Sequence, residues 1–219
     1  MPASTESVKS QAFVRPRTDW LGPPLATLRQ PAFDAACARL MHLVEANFAP
    51  TVVVGIRTGG LEVALAMARA SAMNPPVLPI ICQRTATATK ARLPWLRPLL
   101  AALPRPLVDL LRRLEHRMLI MRRARKPPIQ VINLAEAEAI TRMLAPLAET
   151  PRVLVVDDAV DSGITLMTVL RLLRKVCPVG TEIRSAAITQ TTEHPAQRPD
   201  YVLYRDLLCR FPWSFDAAR

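Results

Sequence analysis

The chain has 219 residues, half of them apolar, and 29 Lys or Arg against 18 Asp or Glu give it a net charge of +11. That length suits one large α/β domain, or one domain carrying an insertion. No apolar run approaches the roughly eighteen residues needed to cross a bilayer, and the opening 18 residues hold no apolar stretch behind their charges, so the expected compartment is the cytoplasm. Cys37, Cys82, Cys177 and Cys209 lie far apart without paired metal-ligand spacing, which argues for reduced cysteines and against a disulfide framework. His42, His116 and His194 are likewise isolated, with no catalytic or metal-ligand spacing.

Residues 1–30 are polar and proline-dotted, and read as a partly flexible arm around Trp20 preceding the main domain, 31–219. A first helix is predicted over 31–48, where Phe33, Cys37, Leu40, Met41 and Val44 recur at three- and four-residue spacing. A β-branched run at 51–54 then leads through Gly55-Ile56-Arg57-Thr58-Gly59-Gly60 into a helix over 61–72. A tight turn at a helix start offers backbone N–H groups and the positive end of the helix dipole to an anion. Glycine usage points the same way. Four of the six glycines (Gly55, Gly59, Gly60 and Gly163) fall in two short loops, where backbone must turn sharply or approach a ligand closely.

The next strand is predicted at 77–82, with a returning strand near Val131-Ile132. Between them lies most of the basicity: residues 84–126 hold twelve Arg or Lys and two acids, a balance of +10, and define a basic helical insertion over 84–128. Within it Leu107, Leu110, Leu111, Leu114 and Met118 share one helical face, while Arg112, Arg113, Arg117, Arg122 and Arg123 lie largely off it. Pro104 and Pro106 separate this helix from a shorter apolar piece at 95–103. Three uses stay open: packing against the body of the protein or a second subunit, attachment to an acidic membrane surface, or binding of nucleic acid.

A helix is predicted over 133–149, with Asn133 as its cap and Glu136 three residues on. The run Val153-Leu154-Val155-Val156 reads as a strand buried on both faces of a parallel sheet, with Asp157 and Asp158 emerging at its carboxyl end. Asp161-Ser162-Gly163-Ile164-Thr165 forms a second small, hydroxyl-bearing turn, leading into a helix over 166–175. Carboxylates beside an anion site would repel a bare phosphate. They suit a ligand with a phosphate at one end and hydroxyls, with Mg2+, a few ångströms away: a sugar phosphate. A further strand at 182–189 completes an alternation of strands and helices, the pattern of an α/β doubly wound, mostly parallel sheet that binds ligands at the carboxyl ends of its strands.

The stretch VLVVDDAVDSGIT, residues 153–165, resembles the phosphoribosyl pyrophosphate (PRPP) signature of the type I phosphoribosyltransferases, with Ala159 smaller than the usual branched residue. The resemblance implies the fold of that family. It puts Asp157 and Asp158 on the ribose hydroxyls and, through them or water, on Mg2+; Asp161, Ser162, Gly163, Ile164 and Thr165 on the 5'-phosphate; and Asp161 beside the base N7 as acid or base, so that Asp157, Asp158 and Asp161 form the catalytic set. The turn at Arg57, Thr58, Gly59 and Gly60 is similar to the family's pyrophosphate loop, with Arg57 one position earlier than the usual basic residue and a cis peptide expected at Arg57–Thr58. In that family a catalytic loop closes over PRPP between the two strands that here bracket the insertion.

The end of the chain, with Pro199-Asp200-Tyr201 and Phe211-Pro212-Trp213, is similar to the base-capping region of purine phosphoribosyltransferases, so residues 190–219 are expected to form a C-terminal hood. Gln190 stands where 6-oxopurine members carry a Lys that reads the base, so Gln190, Phe211 and Trp213 are the base-binding candidates. The resemblance thus implies a purine phosphoribosyltransferase of the 6-oxopurine-like branch, a pentosyltransferase using PRPP and Mg2+ and releasing pyrophosphate, as a dimer or tetramer. The rival class is a PRPP- or nucleotide-binding regulator whose basic insertion engages nucleic acid, membrane or a protein partner. A PRPP-synthesising kinase ranks third, because such enzymes pair two of these domains in a longer chain.

Overall fold

A computed structural model of the chain describes residues 23–84, part of 107–118, 130–132, 134–144 and 151–214. The expected arm through Trp20, the apolar piece at 95–103 and the Asn133 cap lie outside the described residues. Among the described residues the elements run β1 (Leu25–Thr27), α1 (Gln30–Glu45), β2 (Val52–Ile56), α2 (Gly59–Ala70), β3 (Val77–Ile80), β4 (Cys82–Arg84), β5 (Gln130–Ile132), α3 (Leu134–Leu144), β6 (Arg152–Val160), α4 (Ile164–Val176), β7 (Glu182–Gln190), β8 (Tyr201–Arg205) and β9 (Leu208–Arg210).

Five strands form a parallel sheet in the order β3-β2-β6-β7-β8. Its strands are apolar on both faces because both faces are covered. Val53, Leu154, Val156, Ala186 and Ile188 pack with α1 and α2, through Phe33, Leu40, Val44, Val63 and Met67. Val52, Val54, Val153, Val155 and Ala187 pack the other way with α3 and α4, through Ile140, Leu144, Leu166, Val169 and Leu173. This is the doubly wound α/β fold expected from the alternation of strands and helices. Pro79, which has no N–H to donate, is accommodated because β3 is an edge strand.

The connection through α2 carries the chain from β2 outward to β3, while α4 carries it from β6 the opposite way to β7. The strand order therefore reverses between β2 and β6, the kind of switch point beside which α/β sheets bind ligands at the carboxyl ends of their strands.

Three details differ from the sequence reading. β6 does not end at Val156 but continues through both acids to Val160, because β7 is equally long and pairs with it as far as Val160↔Gln190. The single run at 77–82 divides: β3 stays in the main sheet, and β4 leaves to pair antiparallel with β5, so the two bracket residues 85–129. The arm ends in an ordered strand, since β1 lies parallel to β9 as a separate two-stranded hood. Described residues between 107 and 118 are helical, with Leu107, Leu111, Leu114 and Met118 exposed. Asp109 in this stretch is ion-paired at 2.5 Å with Arg210 of β9, which also donates to the Thr27 hydroxyl of β1 at 3.0 Å.

Candidate active site

Register brings the two glycine loops together. β2 and β6 pair from Val52↔Val153 to Gly55↔Val156, so the residues that follow each strand emerge side by side. At Gly60 an added Cβ would stand 2.5 Å from the Val156 carbonyl oxygen and 2.8 Å from Asp157 Cα; at Gly59 it would overlap the Asp158 carboxylate. The sharing of glycine at these positions is a packing requirement: the backbone of the first loop lies directly on the acid pair of the second. Arg57 and Thr58 are exposed just ahead of the helix start, and the peptide joining them is cis.

The two acids are anchored by backbone amides. The Asp158 N–H donates to Asp157 Oδ1 at 2.9 Å, and the Ala159 N–H donates to Asp158 Oδ1 at 3.0 Å. Burial pushes the Asp158 carboxyl above the ordinary carboxylate range and the nearby charge of Asp161 adds to the shift, against the opposing effect of hydrogen bonds from Asp157 and the Ala159 amide.

The second turn caps α4 with Gly163 in the left-handed conformation, φ +73°, which suits glycine. No side chain caps this helix and no acid lies in its first turn, in keeping with an anion seat at the positive dipole end. Asp157, Ala159, Val160, Asp161, Ser162, Gly163, Thr165 and Leu166 line a concavity there. The turn is held from behind by the β7–β8 connection: the Ala196 N–H donates to the Ser162 carbonyl at 2.8 Å, and a Cβ on Gly163 would meet the Gln197 backbone at 2.5 Å. Nothing in the local sequence of 195–197 pointed to this brace.

The base-binding candidates Gln190, Phe211 and Trp213 sit in different surroundings. Gln190 is buried, and its amide is engaged at both ends, donating to the Thr192 carbonyl at 2.7 Å and accepting from Arg205 at 3.0 Å. The β7–β8 register, which sets Gln190 opposite Arg205, fixes that arrangement. Phe211 is a core residue, buried with Phe33 on the α1 side of the sheet. Trp213 stacks on Phe211 with ring centroids 5.0 Å apart and meets the Phe33 ring edge-on at 5.3 Å. Half-exposed aromatics at a chain end pack readily onto a helix, and this trio closes the hood over α1.

Thr191 and Thr192 are the residues the sequence reading passed over. Thr191 Oγ1 donates to Asp161 Oδ1 at 2.7 Å, and Thr192 Oγ1 donates to the Asp161 carbonyl at 2.5 Å. No group of three or more His, Cys, Asp or Glu suited to a metal occurs among the described residues. Two carboxylates do fit Mg2+ of the kind held partly by protein acids and partly by substrate phosphate oxygens. Burial pushes the Cys37 and Cys209 thiols up to about 12 and Cys177 to about 11, so these three are not activated nucleophiles. Among the described residues no helix is long and apolar enough to cross a membrane.

Known structures share this architecture. The chain aligns with a purine phosphoribosyltransferase from Pyrococcus horikoshii at 20% identity and TM-score 0.54, covering 87% of this chain and 94% of that one. A xanthine-guanine-hypoxanthine phosphoribosyltransferase from Helicobacter pylori aligns at 17% identity and TM-score 0.53, covering 89% and 96%. A hypothetical protein from Neisseria gonorrhoeae with bound ppGpp aligns at 13% identity and TM-score 0.54, covering 90% and 93%. No curated protein matches the sequence significantly. The family model described as the phosphoribosyl transferase domain matches residues 104–216, just over half the chain, across the acid pair, the hydroxyl turn and β7 to β9, and the chain belongs to that family.

Proposed function

We propose that this phosphoribosyltransferase moves the 5-phosphoribosyl group of PRPP to a purine-like base and releases pyrophosphate, or runs the reverse reaction. The observation that carries this reading is the seating of the Asp158 carboxylate on Gly59, which makes the acid pair and the first glycine loop one site. Asp157 and Asp158 hold the ribose hydroxyls, the turn from Asp161 to Thr165 takes the 5'-phosphate, and Arg57 to Gly60 cup the pyrophosphate. Asp157 and Asp158 would hold Mg2+, through the ribose hydroxyls or water, and the ion would supply positive charge to the leaving group. The C1'–O bond breaks with its electron pair going to pyrophosphate, and the base nitrogen forms the new bond to the oxocarbenium-like C1'. Asp161 handles the proton at N7 of the base, a general acid/base role. Most of the rate comes from positioning and from charge stabilisation of the leaving group.

The purine assignment draws support from the order of motifs, with Asp161 next to the phosphate turn and the Pro-Asp-Tyr stretch entering β8. Pyrophosphate release from Mg-PRPP with hypoxanthine, guanine, xanthine and adenine tests it directly. Release with one or more of these bases is expected. Tight PRPP binding without release from any base would replace the enzyme with a PRPP- or nucleotide-binding regulator.

A further inference from the structure

The β6–β7 register sets Val160 opposite Gln190, so Asp161 and Thr191 leave the sheet as neighbours. The Thr191 N–H donates to the Val160 carbonyl at 3.0 Å, continuing the ladder by one step, and its hydroxyl turns onto Asp161 Oδ1 at 2.7 Å. We propose that Thr191 is a positioning residue of the transfer reaction: its hydroxyl fixes the rotation of the Asp161 carboxylate so that it meets the base proton in one orientation. This rests on the role given to Asp161 above.

The surrounding network separates this task from simple loop fastening. The backbone of Asp161 is already held by the Thr192 hydroxyl, and that of Thr192 by Gln190, itself held by Arg205. The two loops are stapled without the Thr191 hydroxyl. That hydroxyl is directed at the carboxylate instead, from a residue only 4% exposed, where it cannot swing out to water. The Thr191 hydroxyl is the donor and the carboxylate oxygen the acceptor. A carboxylate turned away from a reacting proton by about 1 Å loses on the order of a hundredfold in rate. A donor fixed by the sheet register holds the carboxylate against that turn.

The test compares Thr191→Val, Thr191→Ser and Asp161→Asn in the full chain, using Mg-PRPP and the purine panel. Thr191→Val should lower kcat by roughly ten- to a hundredfold, leave KM for PRPP within about twofold, and raise the solvent deuterium isotope effect on kcat. Thr191→Ser, which keeps the hydroxyl, should restore kcat. Should the Val variant fail to fold, Thr191→Ala repeats the test without added bulk. If Asp161→Asn loses turnover while Thr191→Val or Thr191→Ala keeps it, the positioning role is wrong and the reading of Asp161 stands. If Asp161→Asn keeps full turnover, the acid/base role falls, and the positioning role falls with it.

Discussion

Gly59 and Asp158 lie almost one hundred residues apart in sequence, yet the backbone of the first carries the carboxylate of the second. Their contact turns two common features, a glycine turn and an acidic strand end, into one site.

Gly59→Ala and Gly60→Ala should therefore fail in different ways. A methyl on Gly59 meets the end of a side chain that can shift, so the fold survives while the acid pair is displaced and turnover drops by roughly a hundredfold or more. A methyl on Gly60 meets backbone at 2.5 Å and 2.8 Å, which cannot give, and should cost about 1–3 kcal/mol of stability. Thermal unfolding beside steady-state assays separates the two; equal loss of stability in both variants would contradict this packing.

Asp157→Asn combined with Asp158→Asn should abolish turnover in a protein that remains folded, as circular dichroism and pyrophosphate release would report. Retained turnover would mean that the ribose is held elsewhere.

The raised pKa of Asp158 makes a separate prediction about pH. The folded state binds this proton more tightly than the unfolded chain does, so the stabilising contribution is present below the unfolded carboxylate range, about pH 4, and is lost as pH rises through the folded value. Asp158→Asn removes that loss. The ligand-free variant should melt at or above the unsubstituted protein at pH 7, with the gap closing toward pH 4. A variant that melts lower at pH 7 and equally low at pH 4 would show that Asp158 is not held against desolvation.

Gly163→Ala should damage both binding and stability, because the position combines a left-handed φ of +73° with the Gln197 backbone at 2.5 Å. A loss of about 1–3 kcal/mol is expected, together with loss of PRPP affinity measured by calorimetry.

In the hood, Arg210 is 11% exposed at its side chain and Asp109 40%, so the two ends of their ion pair should differ. Asp109→Ala leaves Arg210 its bond to Thr27 and should cost below about 1 kcal/mol, as partly exposed pairs do. Arg210→Ala removes its bonds to Asp109 and Thr27 together and should cost about 1–3 kcal/mol. Chemical denaturation of the two variants checks the order.

Much of this was legible in the residues themselves. The β-branched runs at 51–54 and 153–156, followed by glycine turns and apolar helices, determined a parallel α/β sheet, because only strands covered on both faces are apolar throughout. The motif at 157–165 pointed to a sugar phosphate for a similar local reason: acids, hydroxyls and a glycine turn before a helix stand within a few residues of one another. What only the tertiary structure decided were the partners of residues distant in sequence. Strand register placed Thr191 on Asp161 and tied the Gln190 amide to Arg205 and Thr192, while packing against α1 drew Phe211 into the core. A side chain's type states which bonds it can make; which one it makes depends on the neighbour that the sheet sets opposite it.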